Sequence, residues 1–255
     1  MGEMPEAVAG GAQEALMAFL TSVNIACGGH AGDEFTMRAT VEQALRRKLA
    51  IGAHPGYPDR ANFGRLELHM STDAIAKSVF EQVSKLAEIA EKCGARICHV
   101  KAHGALYNQA ARDAATAGAI AEGVARWRRD VVLVGLAGSP MLEAFRGAGF
   151  AVGAEAFADR RYEPDGSLRA RKFADALILD PAEAAAQALR IAEHSRVIAS
   201  DGTELRVETE TICIHGDTPG ATKIAAAVAR RLRDAGVALR PLATPSSSQA
   251  ERRRH

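Results

Sequence analysis

The chain has 255 residues, of which 47% are hydrophobic and 25% charged. That is the composition of a folded protein with a sizeable core, and it excludes a mini-protein or a wholly disordered chain. With 32 Lys+Arg against 31 Asp+Glu the formal charge is +1, so no overall field draws nucleic acid or an anionic membrane. Length admits one or two domains, but α/β barrels reach about 250 residues as one unit, and a single domain over residues 1–240 is expected.

Taken in chain order, the first apolar run, residues 22–26, reads as a buried strand. Met37, Val41, Ala44 and Leu45 then form a helical stripe, followed by a strand at 49–53. Ile75, Val79, Val83, Leu86, Ala90 and Cys93 advance by three or four residues along one long helix. Strands are predicted at 96–100, 131–136, 150–154 and 211–214, Val/Ile-rich and without polar alternation, as expected where both faces are covered. Asp180-Pro181 and Thr218-Pro219 each place a capping side chain before proline and predict helix starts, the second helix carrying Ile224, Val228 and Leu232. Residues 205–208 suit a short extra strand, and 241–255, ending in a basic run, read as a disordered tail.

Strand and helix alternate, which implies parallel βα units closed into a barrel or laid out as an open sheet. No glycine-rich dinucleotide or phosphate-loop pattern follows the strands, so a barrel is preferred. Cys27, Cys93, Cys98 and Cys213 form no Cys-x-x-Cys pair, which fits reduced thiols rather than a zinc ribbon. Neither a leader pattern nor a run of about 18 apolar residues is present, and a soluble cytoplasmic protein is expected.

Ionisable groups beside small residues follow five strands: Cys27-Gly28-Gly29-His30 to Asp33, His54-Pro55-Gly56, Lys101-Ala102-His103-Gly104, Glu155 to Arg160, and His215-Gly216-Asp217-Thr218. In a parallel barrel these carboxyl ends open on one face, so the pattern predicts one pocket. Each residue also has a structural alternative. A lone strand-end histidine commonly serves packing or hydrogen bonding, Asp33, Asp217 and Thr218 fit helix caps, and the Arg160-Arg161-Tyr162 turn fits a solvated loop as well as an anion contact. Lys101 directly follows an apolar strand, where an ammonium is costly unless it meets a polar pocket or an anion. His69, His194 and His255 are read as solvated.

Histidines, a lysine and carboxylates without an evident Ser or Cys nucleophile suit water activation by a general base, with cations stabilising an oxyanion. Hydrolysis of an amide-like bond is the simplest such reaction. The same histidines with Asp217 could hold a metal, but no His-x-His or His-x-x-x-His pair announces one, and the presence of a metal is left open.

The segments Ser22-Val23-Asn24-Ile25-Ala26-Cys27-Gly28-Gly29-His30-Ala31-Gly32-Asp33, Ile51-Gly52-Ala53-His54-Pro55-Gly56-Tyr57-Pro58-Asp59, Val100-Lys101-Ala102-His103-Gly104-Ala105-Leu106-Tyr107-Asn108 and His215-Gly216-Asp217-Thr218-Pro219 closely resemble the LamB/YcsF family. The resemblance spans residues 21–237 in family order and includes Phe63-Gly64-Arg65 and Phe157-Ala158-Asp159-Arg160-Arg161-Tyr162. It implies a distorted seven-stranded β/α barrel, the A subunit of an ATP-dependent 5-oxoprolinase working with subunits B and C. On this reading the complex opens the 5-oxo-L-proline lactam to L-glutamate while ATP is consumed. His54, Lys101, His103 and Asp217 become the expected catalytic residues, with Asp217 or His54 as base. His30, Asn24, Glu155, Arg161, His215 and Thr218 become the expected substrate contacts. Two features depart from the family. Its opening strand, Asp-Leu-Asn-x-Asp-x-Gly-Glu, has at most Met1-Gly2-Glu3 as a counterpart, so the first barrel strand is expected to be missing, and Ala102 replaces a common proline. Oligomerisation would compensate an exposed edge. The competing readings are a metal-dependent amidase or deacetylase and a non-catalytic lactam-binding subunit.

Overall fold

The structure, a computed structural model, describes residues 1–242. Residues 243–255, which hold most of the expected tail, lie outside the described residues. The chain opens with two short helices, α1 (Pro5–Ala9) and α2 (Ala12–Met17), and then alternates: β1 (Ser22–Ala26), α3 (Glu34–Arg46), β2 (Ala50–His54), α4 (Thr72–Lys92), β3 (Ile97–Lys101), α5 (Gly104–Ala110), α6 (Ala114–Trp127), β4 (Val132–Leu136), α7 (Pro140–Gly147) and β5 (Ala151–Phe157). There follow α8 (Pro181–His194), a hairpin of β6 (Arg196–Ile198) and β7 (Glu204–Arg206), then β8 (Thr211–Cys213) and α9 (Ala221–Asp234). The hairpin accounts for the expected extra strand.

Six strands form one parallel sheet in the order β1-β2-β3-β4-β5-β8. The six predicted strands are thus present; the seven-stranded barrel, expected to lack its first strand, is corrected to a curled half-barrel of six. Residues 5–17 form two helices and add no strand between β1 and β8. Among the described residues only Met1 adds to the outer edge of β1, where its amino group donates to Asn24 O at 2.9 Å and its carbonyl accepts from Ala26 N at 2.9 Å. The space towards β8 is filled by side chains instead: Leu16 of α2 packs on Ala221 and Ala225 of α9, with Met1, Leu20 and Ile214 against them.

β4 is buried throughout, while β8 is only half-buried and β1, β5 and β8 give side chains to an open cavity. Asp33 caps α3 by accepting from Thr36 N at 2.8 Å, and Asp180 caps α8 by accepting from Glu183 N at 2.8 Å. Thr218-Pro219 is not a helix start. Gly220, with φ of 77°, is the N-cap of α9, and the Thr218 hydroxyl is used elsewhere. No helix among the described residues is long and apolar enough to cross a membrane.

Candidate active site

The carboxyl ends of the strands open on a cavity of about 890 Å³. Among its lining residues are Asn24, His54, Lys101, His103, Glu155, His215 and Asp217, contributed by strands and loops far apart in sequence. The short side chains and glycines that follow each strand leave this space unfilled.

One wall is rich in imidazole. His30 and His103 stack with ring centroids 3.6 Å apart and planes 7° from parallel, and His54 stands edge-on to both. Gly64 permits the stack: its φ of +62° is unfavourable for a side chain, and a Cβ there would lie 2.7 Å from His30 Cβ. His54 Nδ1 lies 2.7 Å from Lys101 O, a bond only a protonated Nδ1 can donate, so Nε2 carries the lone pair. Glu3 completes this wall, its Oε1 lying 3.3 Å from His30 Nε2. Burial, reinforced by neighbouring cationic groups, pushes the His54 pKa well below its ordinary value. Burial and then His30 push His103 down to about 2, so both imidazoles are neutral near pH 7. Burial acts against the Glu3 carboxylate, but the chain's amino group and the histidines outweigh it and hold its pKa well below the usual range.

The floor is an ion pair. Lys101 Nζ donates to Glu155 Oε1 at 2.7 Å and lies 3.1 Å from Cys213 Sγ, while the Tyr107 hydroxyl donates to Glu155 Oε2 at 3.0 Å. Burial opposes the ammonium, but Cys213 and Glu155 reverse its effect and hold the Lys101 pKa above the ordinary value. The Lys101 ammonium also lies 4.8 Å from the centroid of Phe157.

On the far side, Asp159 is fully buried and organises the loop after β8. Its carboxylate accepts from His215 N at 3.0 Å and from the Thr218 hydroxyl at 2.8 Å, and it faces His215 Nδ1 at 3.0 Å. Burial acts against this carboxylate, but His215 and these hydrogen bonds bring its pKa down to about 2. The imidazole of His215 stacks on Phe157 at 5.3 Å. At the rim, Asp217 is ion-paired to Arg65 and to Arg171, the latter at 3.3 Å.

The structure therefore places His54, Lys101, His103 and Asp217, with Asn24, Glu155 and His215, around one cavity. His30 stands behind His103 and is buried. Asn24 is occupied: its Oδ1 lies 2.9 Å from His99 Nε2. Thr218 lies behind Asp159, and Arg161 is outside the lining, paired with Glu183 at 2.8 Å, while its neighbour Arg160 reaches the cavity. Sequence reasoning did not single out Glu3, His99, Tyr107 or Asp159. Asp159 carried a usable signal, as a carboxylate just beyond the buried end of β5.

The sequence profile of the LamB/YcsF family matches residues 1–247. Proteins named as the A subunit of 5-oxoprolinase are similar to this chain. That of Chloroflexus aggregans is 50% identical over 230 residues, covering 90% of this chain and 91% of that protein. That of Bordetella pertussis is 45% identical over 239 residues, covering 94% and 95%. The crystal structure of the lactam utilization protein from Thermus thermophilus matches with a TM-score of 0.87 at 39% identity, covering 95% of this chain and 97% of that one.

Proposed function

This chain belongs to the LamB/YcsF family, and on that premise we propose that it is the A subunit of an ATP-dependent 5-oxoprolinase, supplying the hydrolytic site for the lactam. The observation that carries the reading is the arrangement of three pre-formed polar groups around one cavity: the Lys101–Glu155–Tyr107 floor, the Asp159–His215 dyad and the arginine-flanked rim.

An unstrained lactam is a poor electrophile, which is why ATP is needed. In this reading subunits B and C phosphorylate the lactam oxygen, and water then attacks the ring carbon in the cavity described. His215 is the base. Asp159 fixes its Nδ1–H tautomer and leaves Nε2 free to take a proton from water and return it to the leaving ring nitrogen. Breaking the C–N bond leaves an acyl phosphate, which a second water hydrolyses to glutamate and phosphate. Lys101 stabilises the charge that develops on the oxygens. Asp217 is clamped by two arginines and burial pushes the His54 pKa far down, so neither is as available to a water as the Asp159-backed imidazole. Arg65 and Arg171 are placed to receive the substrate carboxylate or the phosphoryl group.

The test is reconstitution with subunits B and C, following glutamate released from 5-oxoproline. Turnover should need both partners and ATP, and His215→Ala should lower kcat about 10²- to 10⁴-fold, the usual contribution of a positioned base. Full turnover by both the His215→Ala and Lys101→Ala complexes would remove the hydrolytic role and leave a lactam-binding subunit.

A further inference from the structure

We propose that Glu3, His54 and His103 form a binding site for a single divalent transition-metal ion, with Zn²⁺ as the best match. One ligand atom from each of the three lies within 4.8 Å of the others, and all three residues line the cavity. Two imidazoles and one carboxylate form a donor set that suits zinc, and three protein ligands leave a coordination position for water or substrate on the cavity side.

The surroundings act as an outer ligand shell. The Lys101 carbonyl holds His54 Nδ1–H at 2.7 Å, which fixes the ring and presents Nε2, and His30 Nε2 buttresses the Glu3 carboxylate at 3.3 Å. His103 makes no ring hydrogen bond among the described residues, and its Nδ1 is buried without a partner. A ring stacked on His30 with a buried nitrogen lacking a polar partner is poorly satisfied by the protein alone.

Zn–N and Zn–O bonds of about 2.0–2.1 Å put tetrahedral ligands about 3.3 Å apart. The cluster must therefore contract by up to about 1.5 Å on taking up an ion. The ligands come from the Met1–Glu3 segment, the end of β2 and the loop after β3, so a bound ion would cross-link the chain's beginning to the sheet.

The experiment uses the full chain alone, without ATP, partner subunits or lactam, so its outcome is separate from that of the turnover assay. Chelator-treated protein is titrated with Zn²⁺ by calorimetry, and bound metal is counted by elemental analysis. One equivalent should bind at micromolar concentration or tighter. Glu3→Gln and His103→Ala should each weaken binding by at least about tenfold, while His194→Ala, remote and exposed, should not. Circular dichroism establishes that each variant is folded. If one is not, Co²⁺ added to the unmodified chain supplies the second readout: visible absorption bands of a four- or five-coordinate ion are expected. Stoichiometric binding unchanged in both ligand variants would overturn the assignment, as would no Zn²⁺ uptake, or Co²⁺ remaining in its hydrated octahedral form.

Discussion

Replacing Lys101 by Met tests whether the cavity floor is a committed ion pair. Lys101 and Glu155 are 5% and 3% exposed, with Nζ and Oε1 2.7 Å apart. At an effective dielectric constant of about 20 the direct attraction is about 6 kcal/mol, much of it offset by the desolvation of two ions. Removing only the ammonium keeps the cost of burying Glu155 and forfeits the compensation. Its remaining partner would be the Tyr107 hydroxyl at 3.0 Å. Lys101→Met should therefore cost about 3–5 kcal/mol, a large share of the stability of an ordinary domain. Adding Glu155→Gln removes the stranded charge while keeping an acceptor for Tyr107, and the double variant should regain at least half of the loss. Urea unfolding at pH 7, followed by circular dichroism and compared at matched slopes, measures both. The reasoning is refuted if the single variant loses less than about 1 kcal/mol, the range of a surface pair, or if the double variant is no more stable than the single.

The Asp159 carboxyl titrates at about 2 when folded against an ordinary 3.8, so the folded state binds its proton more weakly than the unfolded one. The pair then contributes about 2 kcal/mol that is intact above pH 4 and lost as pH falls towards 2. The stability gap between the parent and Asp159→Asn should narrow by that amount on acidification, and a pH-independent gap would contradict it. Gly52→Ala drives a Cβ into hard overlap with His99 Nε2 and should destabilise by about 1–3 kcal/mol, a loss that His99→Ala relieves in combination. No relief in the double variant would mean the ring is not the obstacle. In the reconstituted complex Arg65→Ala and Arg171→Ala should raise the KM for 5-oxoproline more than they lower kcat, and an unchanged KM in both would remove the rim from substrate binding.

Most of the sheet was legible because each strand is a short, largely apolar run followed at once by polar and small residues. β2 shows the pattern best: Ala50–His54 ends in a histidine followed by Pro55-Gly56. The missing first strand was legible from the opening residues, but what occupies its place was not, since that depends on two edges far apart in sequence and on what residues 5–17 do between them. Their Ala-rich pattern forms helices, and Met1 alone extends the edge of β1. Thr218-Pro219 carried a helix-start signature, but the left-handed Gly220 moved the start to Ala221 and left the threonine hydroxyl for Asp159. The site was legible at strand ends and illegible inside them. His99 sits within β3 and reaches Asn24 only because Gly52 on the intervening strand has no side chain.

The cavity divides by charge in a way that bears on what it receives. Lys101 is matched by Glu155, Asp159 is locked into the His215 loop, and Asp217 is shared between two arginines. The ions of the interior are thus largely spoken for by fixed protein partners, which limits reorganisation when charge develops during a reaction. Two guanidinium groups facing one carboxylate leave the rim with an excess of positive charge, on the side where an anionic reactant would be held. The imidazole wall differs in kind. His54, His103 and Glu3 each bring one ligand atom within 4.8 Å of the others, whereas the rim gathers two guanidinium groups about one carboxylate. A lactam carrying a carboxylate fits between the two if its anionic end meets the arginines and its carbonyl end points inward, towards Lys101 and His215.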